Sequence, residues 1–446
     1  MRVLLTGAAG YIGSHVHRAL LVAGHEVIAV DAMLEAVHGT NVTAPERVSL
    51  VDIRNPDALE PLLRGVDVVC HLAAAVPVVD LSVLRSGAGS SAPGRASTPP
   101  AAEHDEPGGV DSGPVRPLGG DGDRPESGPG SEGAHEFGHS GGRGRAGSGR
   151  REDVGHGAGP CVRAPVGEAG HGAARPGPLE MQQAALYATH NDAGTAILLA
   201  AMERAGVRRL VLASSVAVYG EGRYRAGRGG PFFPGLRRRA DLDRGLFDHR
   251  APRTGDLLTW EPLGEDAPLR PRSAYAASKV AQEHYALAWV ASTGSAATVL
   301  RYHHVYGESV GARRIRSAES AVAARFRAEL LAGRAPQVFE DGGQVRDFVH
   351  MRDIAAATVA AVERRLAGFV PLNIASGRPL TLWEVAATMS KALNGPSPIV
   401  TGQYRITDIR HLVADPERAR HALDFTARTA PAAGLAAYAT SSADRL

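Results

Sequence analysis

Apolar and polar positions at the start of the chain alternate between two periods. "RVLLTG", Arg2 to Gly7, is a short apolar run ending in glycine. "SHVHRALLVAG" spaces its apolar residues as a helix and closes on Gly24, and "HEVIAVD" is a second apolar run ending in Asp31. "RVSLVD", Arg47 to Asp52, predicts a third strand. Asn55 then caps a helix with Pro56 at its first position, and "VDVVCHLAA" from Val66 predicts a fourth strand. Strands alternating with helices across short loops predict an α/β fold, a doubly wound parallel sheet covered on both faces.

The patterning stops from Arg85 to Pro178, where roughly 25 Gly and 12 Pro occur and Phe137 is the sole aromatic residue. Such a composition cannot bury enough apolar surface to offset ordering entropy, so residues 85–178 are expected to form a long disordered insert. Order resumes with the helical "LEMQQAALYATHNDAGTAILLAAMERAG" and the strand "VRRLVLASS", which ends at Ser215. A second stretch, 223–264, is rich in Arg, Gly and Pro and is expected to be irregular. Its "APRTG", Ala251 to Gly255, carries alanine and threonine where a zinc knuckle needs cysteines, so no metal is expected there. A helix begun by "SAYAASK", a strand "AATVLRYHHVYG" and a C-terminal helix with a Thr381–Glu384 capping box complete a smaller C-terminal lobe.

Composition narrows the partners. With 446 residues, 44% of them hydrophobic, the chain can build a sizeable core. A net charge of +2 gives no field that would attract nucleic acid or an acidic membrane. Cys70 and Cys161 stand far apart, which suits a reducing compartment. The N-terminus reaches Gly7 before a signal sequence could form, and no apolar run is long enough to span a membrane. A cytoplasmic protein is expected.

The candidate chemistry lies in two places. "TGAAGYIG" sets Gly7, Gly10 and Gly13 between a strand and its helix. Such glycines let the backbone turn and approach a pyrophosphate at the helix N-terminus. Asp31, at the end of the next strand, can accept from both hydroxyls of an adenosine ribose and would repel a 2′-phosphate, so NAD is expected over NADP. The second place is Tyr275 and Lys279, one helical turn apart, following the strand-end Ser215. Lys279 is one of two lysines, with Lys391, in a chain that otherwise uses arginine. An ammonium group near a phenol favours the phenolate, so Tyr275 could act as a base while Ser215 holds the substrate oxygen and Lys279 reaches a ribose hydroxyl.

Taken together, "TGAAGYIG", "HLAAA", "NDAGT", "ASSVAVYGE", "YAASK", "LRYHHVYG" and "RDFVHMRDIA" resemble the extended short-chain dehydrogenase/reductase superfamily, in particular its NAD-dependent sugar-nucleotide epimerases and dehydratases. The resemblance covers residues 1–84 and 179 to about 430. It implies an NAD-binding Rossmann domain over 1–84 and 179–305 and a substrate-binding lobe mainly over 306–446, with strands returning to the Rossmann sheet. It implies Tyr275 as base, Lys279 as its partner and Ser215 as the third catalytic residue. It also implies NAD contacts at Gly7, Gly10, Tyr11, Ile12, Gly13, Asp31, Asp52, Ile53, Ala73, Ala74, Asn191, Tyr275 and Lys279.

The implied reaction is epimerisation at C4 of a nucleotide-diphosphate hexose through a transient 4-keto sugar. Net NAD-dependent oxidation or reduction of a nucleotide sugar, and binding without turnover, are the alternatives. Dehydration is disfavoured, because Val216 and Ala217 follow Ser215 where 4,6-dehydratases resemble one another in an Asp-Glu pair. By the same resemblance Arg346 and Arg410 would anchor the diphosphate, and His304 stands where such proteins usually carry Asn. A homodimer is implied, paired through helices beginning near Leu186 and Ser273.

Overall fold

The computed structural model describes residues 1–40, 42–77, 181–227, 229–310 and 321–441. The expected disordered insert 85–178, and Cys161 with it, lie outside the described residues. Five strands come first: β1 (Arg2–Thr6), β2 (Glu26–Asp31), β3 (Ser49–Leu50), β4 (Val68–His71) and β5 (Arg209–Ser215). They are followed by β6 (Arg223–Arg225), β7 (Pro231–Phe232), β8 (Thr259–Glu261) and β9 (Ala296–Tyr302). The C-terminal part adds β10 (His304–Tyr306), β11 (Gln337–Val338), β12 (Val345–Arg346), β13 (Phe348–His350) and β14 (Phe369–Ile374).

The central sheet has seven strands in the order β14-β9-β5-β4-β1-β2-β3, every pair parallel. Its chain order reverses between β1 and β4, and a crevice opens beyond the carboxyl ends of such neighbours. Strand periodicity sends alternate side chains to opposite faces. Val3 and Leu5 of β1 pack with Val16 and Leu20 of helix α1 (Tyr11–Val22), whereas Leu4 packs with Leu59 and Leu63 of α2 (Pro56–Leu63). Asn55 caps α2, its side chain accepting from the N–H groups of Asp57 and Ala58.

The second face is completed by α3 and α4. Helix α3 starts as Ala184–Tyr187, passes through a π-helical turn, Ala188–Ala193, and continues as Gly194–Arg204. Helix α4 (Ala274–Thr293) is capped by Ser273 and buries Ala286 and Trp289 in the same cluster. Beyond the sheet, Phe326, Phe348, Val385, Met389 and Leu435 form a separate apolar cluster. The Thr381–Glu384 capping box is present there.

Two expectations need correction. "AATVLRYHHVYG" is two strands: β9 ends at Tyr302 in the central sheet, while β10 leaves it after His303 and pairs in parallel with β13. Periodicity cannot reveal such a change of partner. The 223–264 stretch is not irregular throughout, because β7, β6 and β8 form an antiparallel three-stranded sheet. Glu261 pairs with Arg223 at 3.0 Å and Arg225 at 2.5 Å, so arginines that read as loop composition are cross-strand partners.

Candidate functional site

The glycine turn joins β1 to α1 at the crevice. Gly7 has φ +73°, and a Cβ on it would stand 2.6 Å from the Ala73 nitrogen; one on Gly13 would stand 1.9 Å from the Gly7 carbonyl oxygen. Neither position admits a side chain without moving backbone. Gly10 meets only the Gly7 oxygen, at 3.2 Å, leaving the turn open on its outer side. A cavity runs from Gly7 and Gly10 past Asp31 to Asp52, Ile53, Ala73 and Ala74.

Asp31 ends β2 within this cavity and is nearly buried. Burial opposes its charge, but His38 at 3.2 Å and the N–H groups of Met33 and Ala9 more than offset that, holding its carboxyl below the usual value. It is therefore a carboxylate aimed into the groove. Asp52 also lines the groove, its charge held by a bidentate pair with Arg54. The bare turn, the fixed carboxylate and the small Ala73 and Ala74 suit an adenine dinucleotide. Tyr11 and Ile12 open α1 at the turn, with the Tyr11 hydroxyl donating to the Gly307 carbonyl at 2.7 Å.

Asn191 is placed differently from expectation. It is fully buried in the π turn, where it accepts from Ala75 N–H at 2.7 Å and donates to Ala75 O at 3.0 Å and Ser278 Oγ at 2.9 Å. These bonds clamp the chain leaving β4 onto α4. Asn191 thus positions the cofactor side of the crevice rather than offering free polar atoms to a ligand. A π turn inside a helix leaves no hydrophobic-period signal, which is why the sequence does not disclose it.

Ser215, Tyr275 and Lys279 come together at the carboxyl end of β5. The Ser215 hydroxyl stands near enough to the Tyr275 hydroxyl to favour its ionised form, and the Lys279 ammonium lies 6.0 Å from the Tyr275 ring centre. Tyr187 packs edge-on against Tyr275 with centroids 5.9 Å apart. The expectation that lysine depresses the tyrosine pKa is corrected: burial raises Tyr275 to about 12, against the opposing Ser215 hydroxyl. Lys279 donates to the Ala213 carbonyl at 3.0 Å and Gln282 Oε1 at 2.7 Å, and burial lowers its pKa to about 7. Burial is the largest cause of both shifts, and neither group figures among the causes of the other's.

The expected substrate side divides. Arg346 is buried and donates to three backbone carbonyls, of Val345, Arg410 and Ile409. His304 lies close enough for Arg346 to oppose its protonation, after burial as the larger cause, so its ring is neutral. Its Nδ1 is buried and has no hydrogen-bond partner among the described residues. Arg410 is a correction: Asp248, Glu340 and Asp341 bind it at 2.7, 2.9 and 2.6 Å. Its donors are committed to carboxylates, and a diphosphate would have to displace them.

Arg405, five residues earlier, was not singled out by sequence. Its guanidinium lies 5.1 Å over the Phe339 ring, and its buried Nε has no hydrogen-bond partner among the described residues. Asp408 approaches it only to 3.9 Å, whereas three carboxylates reach Arg410 at 2.6–2.9 Å, all of them from elsewhere in the chain.

The family model described as "NAD dependent epimerase/dehydratase family" matches residues 3–88, 170–231 and 254–375. The dTDP-L-rhamnose 4-epimerase of Burkholderia thailandensis is 32% identical over 238 residues, 53% of this chain and 63% of that protein. The UDP-glucose 4-epimerase of Streptomyces lividans is 29% identical over 246 residues, 54% of this chain and 64% of that protein. The chain thus spans just under two thirds of these relatives. Among solved structures, a Thermus thermophilus UDP-glucose 4-epimerase complex with NAD aligns with TM-score 0.58 and 23% identity, covering 98% of each chain. A Thermotoga maritima UDP-glucose 4-epimerase with UDP-glucose aligns with TM-score 0.60 and 20% identity, covering 98% of this chain and 97% of that one. Those two likenesses are of fold. No helix among the described residues is long and apolar enough to cross a membrane.

Proposed function

This chain belongs to the NAD dependent epimerase/dehydratase family, and from that premise we propose that it is an NAD-dependent epimerase acting at C4 of a nucleotide-diphosphate hexose. The reading is carried by the Tyr275–Ser215 hydroxyl pair beside Lys279, at the end of β5 where the glycine-lined crevice opens. Tyr275 takes the proton of the C4 hydroxyl while Ser215 holds that oxygen. Lys279 offers its remaining donor to a ribose hydroxyl. Held in the glycine-lined crevice, NAD would supply the hydride acceptor for C4 and the hydride that returns to the opposite face of the keto sugar. Gly7, Gly10 and Gly13 would admit its pyrophosphate, with Asp31 accepting from the adenosine ribose.

Arg346 and Arg405, both close to Asp408, are assigned to the substrate diphosphate, with neutral His304 beside Arg346. Arg346 is bonded only to carbonyls and Arg405 meets Asp408 only at 3.9 Å, so both retain charge for an anion, whereas Arg410 is neutralised by three carboxylates. Dehydration stays disfavoured, since Val216 and Ala217 bring no acid or base after Ser215. We place the protein in the cytoplasm as a homodimer paired through α3 and α4, whose exposed Tyr285 and Leu287 suit a partner surface. Light scattering that returns a monomer would refute the dimer.

The test of activity is interconversion of UDP-glucose and UDP-galactose, or of dTDP-hexose epimers, by the purified protein. Epimerisation proceeds with no net NADH, and steady NADH formation or consumption would instead establish a net oxidoreductase. Tyr275→Phe is expected to lower kcat by about 10²–10⁴-fold with NAD affinity retained. A parent activity no higher than that variant's would mean a protein that binds without turnover.

A further inference from the structure

His71 is a fully buried imidazole with no role in the reaction above, and both of its nitrogens are hydrogen-bonded. It stands in a chain of side chains leading to Lys279. Burial is the main cause, and nearby Lys279 the second, of a His71 pKa lowered to about 3, so the ring is neutral.

Donor and acceptor rules orient every member. An ammonium can only donate, so Lys279 fixes Gln282 with its Oε1 toward Nζ at 2.7 Å. The Gln282 amide nitrogen must then donate to Thr195 Oγ1, at 2.6 Å. The same amide nitrogen faces His71 Nε2 at 3.4 Å, so that ring nitrogen is an acceptor and takes the Thr195 proton at 3.0 Å. The remaining ring proton sits on Nδ1 and is donated to Thr6 Oγ1 at 2.7 Å, an atom that also accepts from Ala73 N–H at 3.3 Å. Thr6 precedes Gly7, and the Ala73 backbone fills the space a Gly7 side chain would need. The chain of bonds therefore runs from α4 through α3 and β4 to β1, with every side chain in it buried.

The charged and titratable groups facing Lys279 are Glu283 and Tyr275 on its own helix, Asp192 on the π turn and His71 on β4. Glu283 is taken by Arg301 and Ser214, at 2.6 and 2.5 Å. The groups that hold the ammonium directly are thus neutral.

We propose that Gln282, Thr195 and His71 are positioning residues that hold the Lys279 nitrogen at Tyr275 and tie it, through Thr6, to the cofactor turn. The proposal rests on Tyr275 and Lys279 being the reacting pair, yet its test needs no turnover. Isotope-labelled lysine in the cofactor-free full chain gives NMR signals from Lys279 and exposed Lys391 alone, so both can be titrated and Lys391 serves as reference. Thr195→Val removes the hydroxyl that joins Gln282 to His71, leaving only their direct 3.4 Å contact, without touching Lys279. It is expected to move the Lys279 midpoint by at least about half a pH unit, roughly three-fold in proton affinity, and to weaken NAD binding by about ten-fold, 1.4 kcal/mol. Thr195→Ser, which keeps the hydroxyl, restores both.

A folded Thr195→Val protein with an unmoved Lys279 midpoint overturns the proposal, whatever its melting temperature. If that variant does not fold, Gln282→Met is read the same way. Loss of the epimerase reading itself would appear in the Tyr275→Phe comparison and leave this titration interpretable.

Discussion

At Gly13 the missing side chain is a spatial necessity, with the Gly7 carbonyl oxygen 1.9 Å from where a Cβ would be. Gly13→Ala must push α1 away from β1, and a cost of about 1–3 kcal/mol is expected in chemical denaturation, together with loss of NAD binding. Gly10→Ala, with its nearest contact at 3.2 Å, should keep parent stability and lose NAD affinity only. Isothermal titration beside the melts separates the two. These positions could be read in the sequence because spacing and a flanking strand declare them. The charge states of Tyr275 and Lys279 could not, since they follow from burial in the folded interior and, for Lys279, from the charge of Asp192, 87 residues away. The same holds for Arg410 and Arg405, alike in sequence and separated by the carboxylates that reach them.

Among elements, α4 is held to the sheet by one buried ion pair. Glu283, one turn beyond Lys279, makes a bidentate pair with Arg301 of β9 at 2.6 and 3.0 Å, and Arg301 also donates to Tyr219 Oη and the Glu265 carbonyl, each at 2.8 Å. Replacing one partner strands the other charge in the interior. Arg301→Leu is expected to cost about 3–5 kcal/mol, whereas Arg301→Leu with Glu283→Leu should recover most of that loss in urea unfolding. If the double variant were as unstable as the single, the stranded charge would not be the cause. Helices, caps and most central strands could be read from periodicity because neighbours in sequence produce it. The β9–β10 break and the β6–β8 sheet could not, because each depends on a pairing partner elsewhere in the chain.

For the whole molecule, three groups give stability the same pH slope. Despite burial, Glu221 is held below its ordinary 4.5 by His249 and Arg272 and by the His411 N–H, so its contribution is complete above pH 4.5 and is lost as pH falls below that. His71 drops from 6.5 to about 3, so the unfolded chain binds a proton that the folded one refuses across that window. Lys279, lowered from 10.5 to about 7, acts likewise between those values. Asp192, raised to about 6 by burial, slopes the other way, so His71 is read by difference: the parent should lose about 2 kcal/mol more than His71→Gln between pH 7 and pH 5 in urea unfolding. Equal losses in parent and variant would contradict the burial of His71. The composition of residues 85–178 predicts that exchanging them for a short Gly/Ser linker alters stability by no more than about 2 kcal/mol, because closure free energy changes only about 0.6 kcal/mol per doubling of loop length. Local order along the chain was enough to establish the parallel α/β frame, the glycine turn and the Ser215, Tyr275 and Lys279 set, since short-range spacing encodes them. Which arginines remain free, where Asn191 points, and what holds Lys279 came from folding alone. Each depends on groups tens to hundreds of residues apart meeting in a low-dielectric interior, where burial and the count of donors and acceptors set their chemistry.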